Sequence, residues 1–105
     1  MTTHETYMQI ALEAAREAAR LGEIPVGACI VREGEILAVG YNTRETQRDP
    51  LGHAEINAIR QACQQLGSWR LDGCVLYVTL EPCPMCAGAI LNARLSRVVY
   101  GAADP

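Results

Sequence analysis

The sequence of 105 residues contains no lysine, no phenylalanine and no long hydrophobic run. A transmembrane helix needs about 20 consecutive apolar residues, so we expect no membrane partner. Residues 1–5 also lack the basic start and the apolar stretch of a secretory signal peptide. These absences favour a cytoplasmic protein.

Positive charge is scarce and comes from arginine alone, with nine arginines against 12 acidic residues and a formal net charge of −3. A nucleic-acid-binding protein usually carries a basic patch. Net charge says nothing about clustering, so this balance neither indicates nor excludes such a partner. Half of the residues are hydrophobic and a fifth are charged, which is an ordinary globular composition. The length suits one domain, expected to span residues 1–105.

The five cysteines form an odd set in a chain without a secretion signal. That combination argues against a disulfide framework and favours reduced thiols or metal ligands. Cys29 and Cys74 lie in apolar runs and Cys63 lies in a helical pattern, so these three are predicted to fill the core. Cys83 and Cys86 remain as candidate ligands.

Hydrophobic periodicity predicts an α/β protein. The expected order is a helix (3–21), two strands joined by a turn at Glu33-Gly34 (26–32 and 35–42), a helix (53–67), a strand buried on both faces (74–80), a helix (82–92) and a strand (96–101). The last strand–helix–strand unit should be a right-handed crossover between parallel strands. We therefore expect a mixed sheet with helices on its faces. Because the chain stops directly after a strand, the domain is expected to be C-terminally incomplete.

Two short motifs supply metal-ligating side chains at the starts of the last two predicted helices. His53-Ala54-Glu55 offers an imidazole and a carboxylate, and Pro82-Cys83-Pro84-Met85-Cys86 offers two thiols. Cysteines three apart share one helix face. A catalytic zinc takes three protein ligands and leaves a position for water. The motifs therefore predict an open zinc site with a spare carboxylate.

Other interpretations of the two thiols fit the sequence less well. A structural zinc ribbon would need a second Cys-x-x-Cys, which the sequence does not contain. A redox dithiol would leave His53 and Glu55 without a role. One condition applies to the catalytic interpretation: His53 and Glu55 are two residues apart, so they converge only in the first turn of a helix.

Longer segments around these motifs resemble the bacterial tRNA-specific adenosine deaminases, members of the cytidine/deoxycytidylate deaminase superfamily. His-x-Glu followed by Pro-Cys-x-x-Cys is itself the zinc deaminase signature. The resemblance covers nearly the whole chain. Its most specific segments are Gly40-Tyr41-Asn42, Asp49-Pro50, His53-Ala54-Glu55-Ile56, the run from Thr79 to Ile90, and Gly101-Ala102-Ala103-Asp104.

The resemblance implies a three-layer α-β-α cytidine-deaminase-like fold, a homodimer and a zinc-dependent reaction on the tRNA anticodon loop. His53, Cys83 and Cys86 would hold one Zn²⁺ per chain. Glu55 would be the catalytic residue that moves a proton from water to the adenine ring, and loss of ammonia would leave inosine at the wobble position. Asn42 and Asp104 match substrate-binding positions of the family, although Asn42 is equally a strand-end turn residue.

Two alternatives remain open at this point. A free-base deaminase, such as a guanine deaminase, would use the same metal centre with a different pocket. A catalytically silent zinc-stabilised subunit would have no chemical need for Glu55. The sequence also departs from the family at Leu51-Gly52, where smaller or more polar residues are expected, and the family continues beyond residue 105.

Overall fold

The seven helices and strands follow the predicted order in a computed structural model that describes residues 1–102. The elements are α1 (Thr3–Arg20), β1 (Gly27–Arg32), β2 (Glu35–Tyr41), α2 (Ala54–Leu66), β3 (Cys74–Leu80), α3 (Pro84–Asn92) and β4 (Arg97–Ala102). None of the helices in this described part of the chain has the length and hydropathy needed to span a bilayer.

The four strands form one mixed sheet in the order β2-β1-β3-β4. β1 pairs antiparallel with both β2 and β3, whereas β3 and β4 are parallel. The hairpin turn has positive φ at both Glu33 (49°) and Gly34 (80°), as a type I′ turn requires. The predicted combination of an N-terminal hairpin and later parallel strands is confirmed.

Helices cover both faces of the sheet and give the predicted three layers. On one face, α1 packs its Tyr7 and Met8 against Cys29 and Tyr77. On the other face, α2 and α3 enclose a larger cluster whose buried members include Ile30, Leu71, Leu76, Val78 and Ile90. β3 contributes alternate side chains to both clusters, which explains its almost continuous apolar sequence.

The core differs in detail from the sequence-based expectation. Cys29 and Cys74 are buried as predicted, but Cys63 is only partly buried beside the larger cluster. The innermost apolar residues of α2 are Ala54, Ala58 and Ala62, which are fully buried. Small side chains occupy this face because the helix backbone lies very close to the sheet.

Gly40 in β2 permits that close approach. A Cβ atom at this position would lie 2.5 Å from the Ala54 carbonyl oxygen and 2.8 Å from the Ala58 nitrogen. These atoms belong to the helix backbone and cannot rotate away. The spacing between β2 and α2, and with it the position of the start of α2, therefore depends on glycine at residue 40.

We expect Gly40→Ala to lower the free energy of unfolding by about 1–3 kcal/mol, the usual cost of an overpacked core. Urea denaturation followed by circular dichroism measures the change. Gly88→Ala is the matched control, because a Cβ there meets no atom within 4 Å. Within a helix this control should be neutral or stabilising by about 1 kcal/mol. Equal stability of the two variants would contradict the proposed steric role of Gly40.

Candidate metal centre

The two motifs occupy equivalent places at the starts of α2 and α3. His53 is the residue that caps α2, and Cys83 is the residue that caps α3, both with extended backbone. α3 therefore begins two residues later than predicted, at Pro84, and Cys86 lies in its first turn. A helix N-terminus carries partial positive charge, which stabilises the thiolate form of nearby cysteines.

The structure brings the three predicted metal ligands together. His53 Nδ1 lies 3.6 Å from Cys83 Sγ and 3.5 Å from Cys86 Sγ. All three donor atoms lie within 4.8 Å of one another. Zinc–sulfur and zinc–nitrogen bonds of about 2.3 Å and 2.05 Å, at the tetrahedral angle, separate sulfur from nitrogen by about 3.6 Å. The donor set therefore fits one tetrahedral zinc.

Cys86 is the most enclosed of the ligands, with no solvent exposure. Burial raises the pKa of its thiol, and the adjacent carboxylate of Glu55 and the sulfur of Cys83 raise it further. A buried thiolate needs a compensating cation, because an isolated charge in the interior is costly. Zinc binding at this site is consequently coupled to release of the thiol proton.

Glu55 lies beside the donor set and is only 4% exposed. Burial raises the pKa of its carboxyl group. The backbone N–H, the His53 imidazole and the Cys86 thiol favour the charged form and lower the pKa, but the effect of burial is larger. His53 and Glu55 converge at the start of α2, as the catalytic interpretation of the His-x-Glu motif requires. His53 precedes the first turn of α2 and Glu55 lies within it, so both residues line the same cleft.

The cleft in front of the donor set has a cavity volume of about 160 Å³ and is open to solvent. It is smaller than the typical small-molecule site of about 300–1,000 Å³. Its apolar walls come from Ile24 and Val26 before β1 and from Leu80 at the end of β3. These residues were not predicted from the sequence, since nothing distinguishes them locally from ordinary core residues. The arrangement can hold a flat, partly apolar group beside the metal position.

Asn42 has a structural role and also lies at the cleft. Its side chain is buried, donates from Nδ2 to the Ile24 carbonyl at 3.3 Å and accepts at Oδ1 from the Arg44 N–H at 3.1 Å. These bonds make it a structural residue of the turn that follows β2. It also lines the cleft, so its predicted contact with substrate is geometrically possible. Asp104, the other predicted substrate-binding residue, lies outside the described residues 1–102.

The loop between β2 and α2 lies close to the start of α2 at Gly52. A Cβ at Gly52 would lie 3.0 Å from Thr43 Oγ1 and 3.1 Å from the Asp49 carbonyl oxygen. Asn57 of α2 fixes the same region by donating to Thr43 Oγ1 and to the Tyr41 carbonyl, each at 2.9 Å. A larger residue at position 52 would therefore have to displace its neighbours by a few tenths of an ångström.

The chain is similar in sequence to zinc-binding deaminases. Residues 1–102 match the family of the cytidine and deoxycytidylate deaminase zinc-binding region. The chain is 52% identical over 105 residues to a tRNA-specific adenosine deaminase of Bacillus subtilis (strain 168), with alignment over 100% of this chain and 65% of that protein. It is 49% identical over 100 residues to a guanine deaminase of the same strain, covering 94% of this chain and 64% of that protein.

Solved structures show the same two kinds of relative. A structure from studies of A-to-I editing by tRNA:A34 deaminases at the wobble position of transfer RNA superimposes with a TM-score of 0.94 at 48% identity, covering 96% of this chain and 73% of that one. A guanine deaminase of Bacillus subtilis gives a TM-score of 0.94 at 48% identity, covering 97% and 66%. The chain spans slightly less than two thirds of the length of the tRNA-specific adenosine deaminases of Bacillus subtilis and Aquifex aeolicus, 65% and 66% respectively.

Proposed function

Because the chain belongs to the family of the cytidine and deoxycytidylate deaminase zinc-binding region, we propose that it is a zinc-dependent hydrolase that deaminates adenosine to inosine at the wobble position of tRNA. The observation that carries the proposal is one cleft that joins the His53, Cys83 and Cys86 donor set to the buried carboxyl group of Glu55. The similarity to tRNA-specific adenosine deaminases supports the choice of substrate.

The side chains around the cleft suit proton transfer to a purine. When bound, zinc supplies Lewis-acid activation of a water molecule. Glu55 accepts a proton from that water and delivers it to a ring nitrogen of the base. Burial raises the pKa of this carboxyl group above its ordinary value. A positioned carboxyl group can both accept and donate a proton within one turnover.

The walls of the cleft suit a base that has left its stack. Ile24, Val26 and Leu80 offer apolar surface to the faces of a ring, and Asn42 offers an amide to its edge. Deaminases that act on nucleic acid take the target base out of the stack and hold it in such a pocket. We further propose that the chain acts in the cytoplasm and forms a homodimer. Leu91, 72% exposed at the end of α3, offers apolar surface to a second copy.

Guanine deamination is the second candidate, because a guanine deaminase is nearly as similar as the tRNA deaminases. The metal centre cannot separate the two reactions, since the contacts around the base select the substrate. A silent zinc-stabilised subunit is less well supported, because such a protein would not need the buried acid at residue 55.

Incubation with an anticodon stem-loop RNA and, separately, with free guanine distinguishes these functions. We expect inosine in the RNA, detected by mass spectrometry of the digested nucleosides, together with one ammonia released per inosine formed. The same stem-loop with guanosine in place of the target adenosine is the control and should release none. Ammonia from guanine, with no inosine in the RNA, would show that the substrate is the free base.

A further inference from the structure

Glu23 is a buried carboxylate that the metal chemistry does not use. It lies in the turn between α1 and β1 and is only 5% exposed. Its two oxygens accept hydrogen bonds from successive backbone N–H groups, Oε1 from Glu45 at 3.1 Å and Oε2 from Thr46 at 2.6 Å. Burial alone would raise the pKa of Glu23, but these donors, the Thr46 side chain and the nearby charge of Arg44 together outweigh it and hold the pKa below its ordinary value. The carboxylate therefore links two loops through charge-assisted hydrogen bonds.

Asn42 forms further hydrogen bonds between the same two parts of the chain. Its backbone N–H donates to the Val26 carbonyl at 3.1 Å, and its side chain donates to the Ile24 carbonyl. Its Oδ1 also accepts from the Arg44 N–H at 3.1 Å. The segments 23–26 and 42–46 are thus fixed to each other, and residues from both segments line the cleft.

Arg44 lies in the segment 42–46, which these hydrogen bonds hold in place, and it lines the cleft. Among the described residues that line the cleft, Arg44 carries the one guanidinium group. Its side chain is 47% exposed, and its ion pair with Glu45 is long at 3.8 Å and exposed to water. Such a pair contributes little, so the guanidinium remains available for another anion. Guanidinium groups suit phosphate because they donate two parallel hydrogen bonds.

We propose that Arg44 contacts a phosphate next to the target nucleotide, and that Glu23 is the positioning residue that holds Arg44 at the cleft. This inference rests on the proposed function, because it assigns the specificity for a nucleotide within RNA. A free base has no phosphate and gains nothing from Arg44. Arg44, held in place by Glu23, would therefore distinguish a polynucleotide substrate from a free purine. The metal centre by itself does not make this distinction.

Steady-state kinetics and RNA binding by the whole chain test the role of Arg44. We expect Arg44→Gln to raise KM for the anticodon stem-loop about tenfold with kcat unchanged, since one charge-assisted contact is lost. The slope of log Kd against log salt concentration should fall by about 0.7, as expected for one phosphate contact on a single strand. Arg44→Lys should restore the slope. Arg16→Gln, which removes an exposed arginine from α1, is the control and should leave KM unchanged.

Glu23→Gln tests the positioning role. A glutamine has one acceptor oxygen, so one of the two N–H groups would face an amide donor and the loop that carries Arg44 would be released. We expect KM to rise as in Arg44→Gln, with zinc content unchanged and no further rise in the double variant. Additive effects in the double variant would show that Glu23 does not act through Arg44.

The outcomes also separate this inference from the proposed function. If the wild-type chain forms inosine in RNA but Arg44→Gln keeps its KM and its salt slope, the inference is wrong and the proposed function stands. If the wild-type chain deaminates guanine and not the RNA, both are wrong. Arg44 is exposed and should not affect folding. Thermal unfolding of Glu23→Gln checks that this variant remains folded.

Discussion

Replacement of Glu55 by alanine is expected to lower the rate of deamination by about 10²- to 10⁴-fold while one zinc per chain stays bound. The acid is not among the three donors that converge on the metal position, so metal retention should not depend on it. Its position beside Cys86 places it where the attacking water must lose a proton. Single-turnover assays on the stem-loop RNA, together with zinc analysis by mass spectrometry, measure both quantities.

Glu55→Gln refines this experiment because it keeps the size of the side chain and removes only its ability to exchange protons. We expect it to be as inactive as the alanine variant. Glu13→Gln, on the exposed side of α1, is the matched control and should keep full activity. Turnover of Glu55→Gln at the wild-type rate would rule out proton transfer by this residue, whichever purine is the substrate.

Replacement of Cys86 by serine is expected to abolish both zinc binding and activity, and to lower stability. A metal that binds only the folded chain stabilises it by about 4 kcal/mol when its free concentration is 1,000 times Kd. For a domain of this size the loss corresponds to a fall in Tm on the order of 15–30 °C. Thermal unfolding with and without a chelator measures it, since the wild type should respond to the chelator and the variant should not.

Cys63→Ser is the matched control for Cys86→Ser. Cys63 is a partly buried thiol near the end of α2, and its sulfur lies 3.8 Å from the Trp69 carbonyl oxygen rather than near the metal position. This variant should bind one zinc and keep its response to the chelator. Stoichiometric zinc in Cys86→Ser, with two sulfur ligands still apparent by X-ray absorption, would contradict the assignment of Cys86 as a ligand.

The metal centre could be predicted because its information is local. The spacing of Cys83 and Cys86 places two donors on one helix turn. The His-x-Glu motif at the start of another helix supplies the third donor, His53, and the acid, Glu55. The order of the helices and strands was accessible for a similar reason, since each element has its own hydrophobic period. The parallel pairing of β3 and β4 then followed from the helix between them.

The residues that escaped prediction depend on distances between elements. The buried face of α2 is lined by alanines because Gly40 brings the helix against the sheet, and such small side chains give only a weak signal in the hydrophobic period. The role of Glu23 was equally hidden. Its partners are backbone N–H groups 22 and 23 residues away, which leave no mark on the sequence.

The close contact at Gly40 has a counterpart on the opposite face of the sheet. A Cβ at Gly27 in β1 would collide with the backbone of Ala11 and Ala15 in α1. Because both collisions are with main-chain atoms, no choice of neighbouring rotamers relieves them. Libraries that seek new substrates for this scaffold should therefore keep both glycines and place their diversity at residues 44–48, whose side chains are exposed and do not pack against a helix backbone.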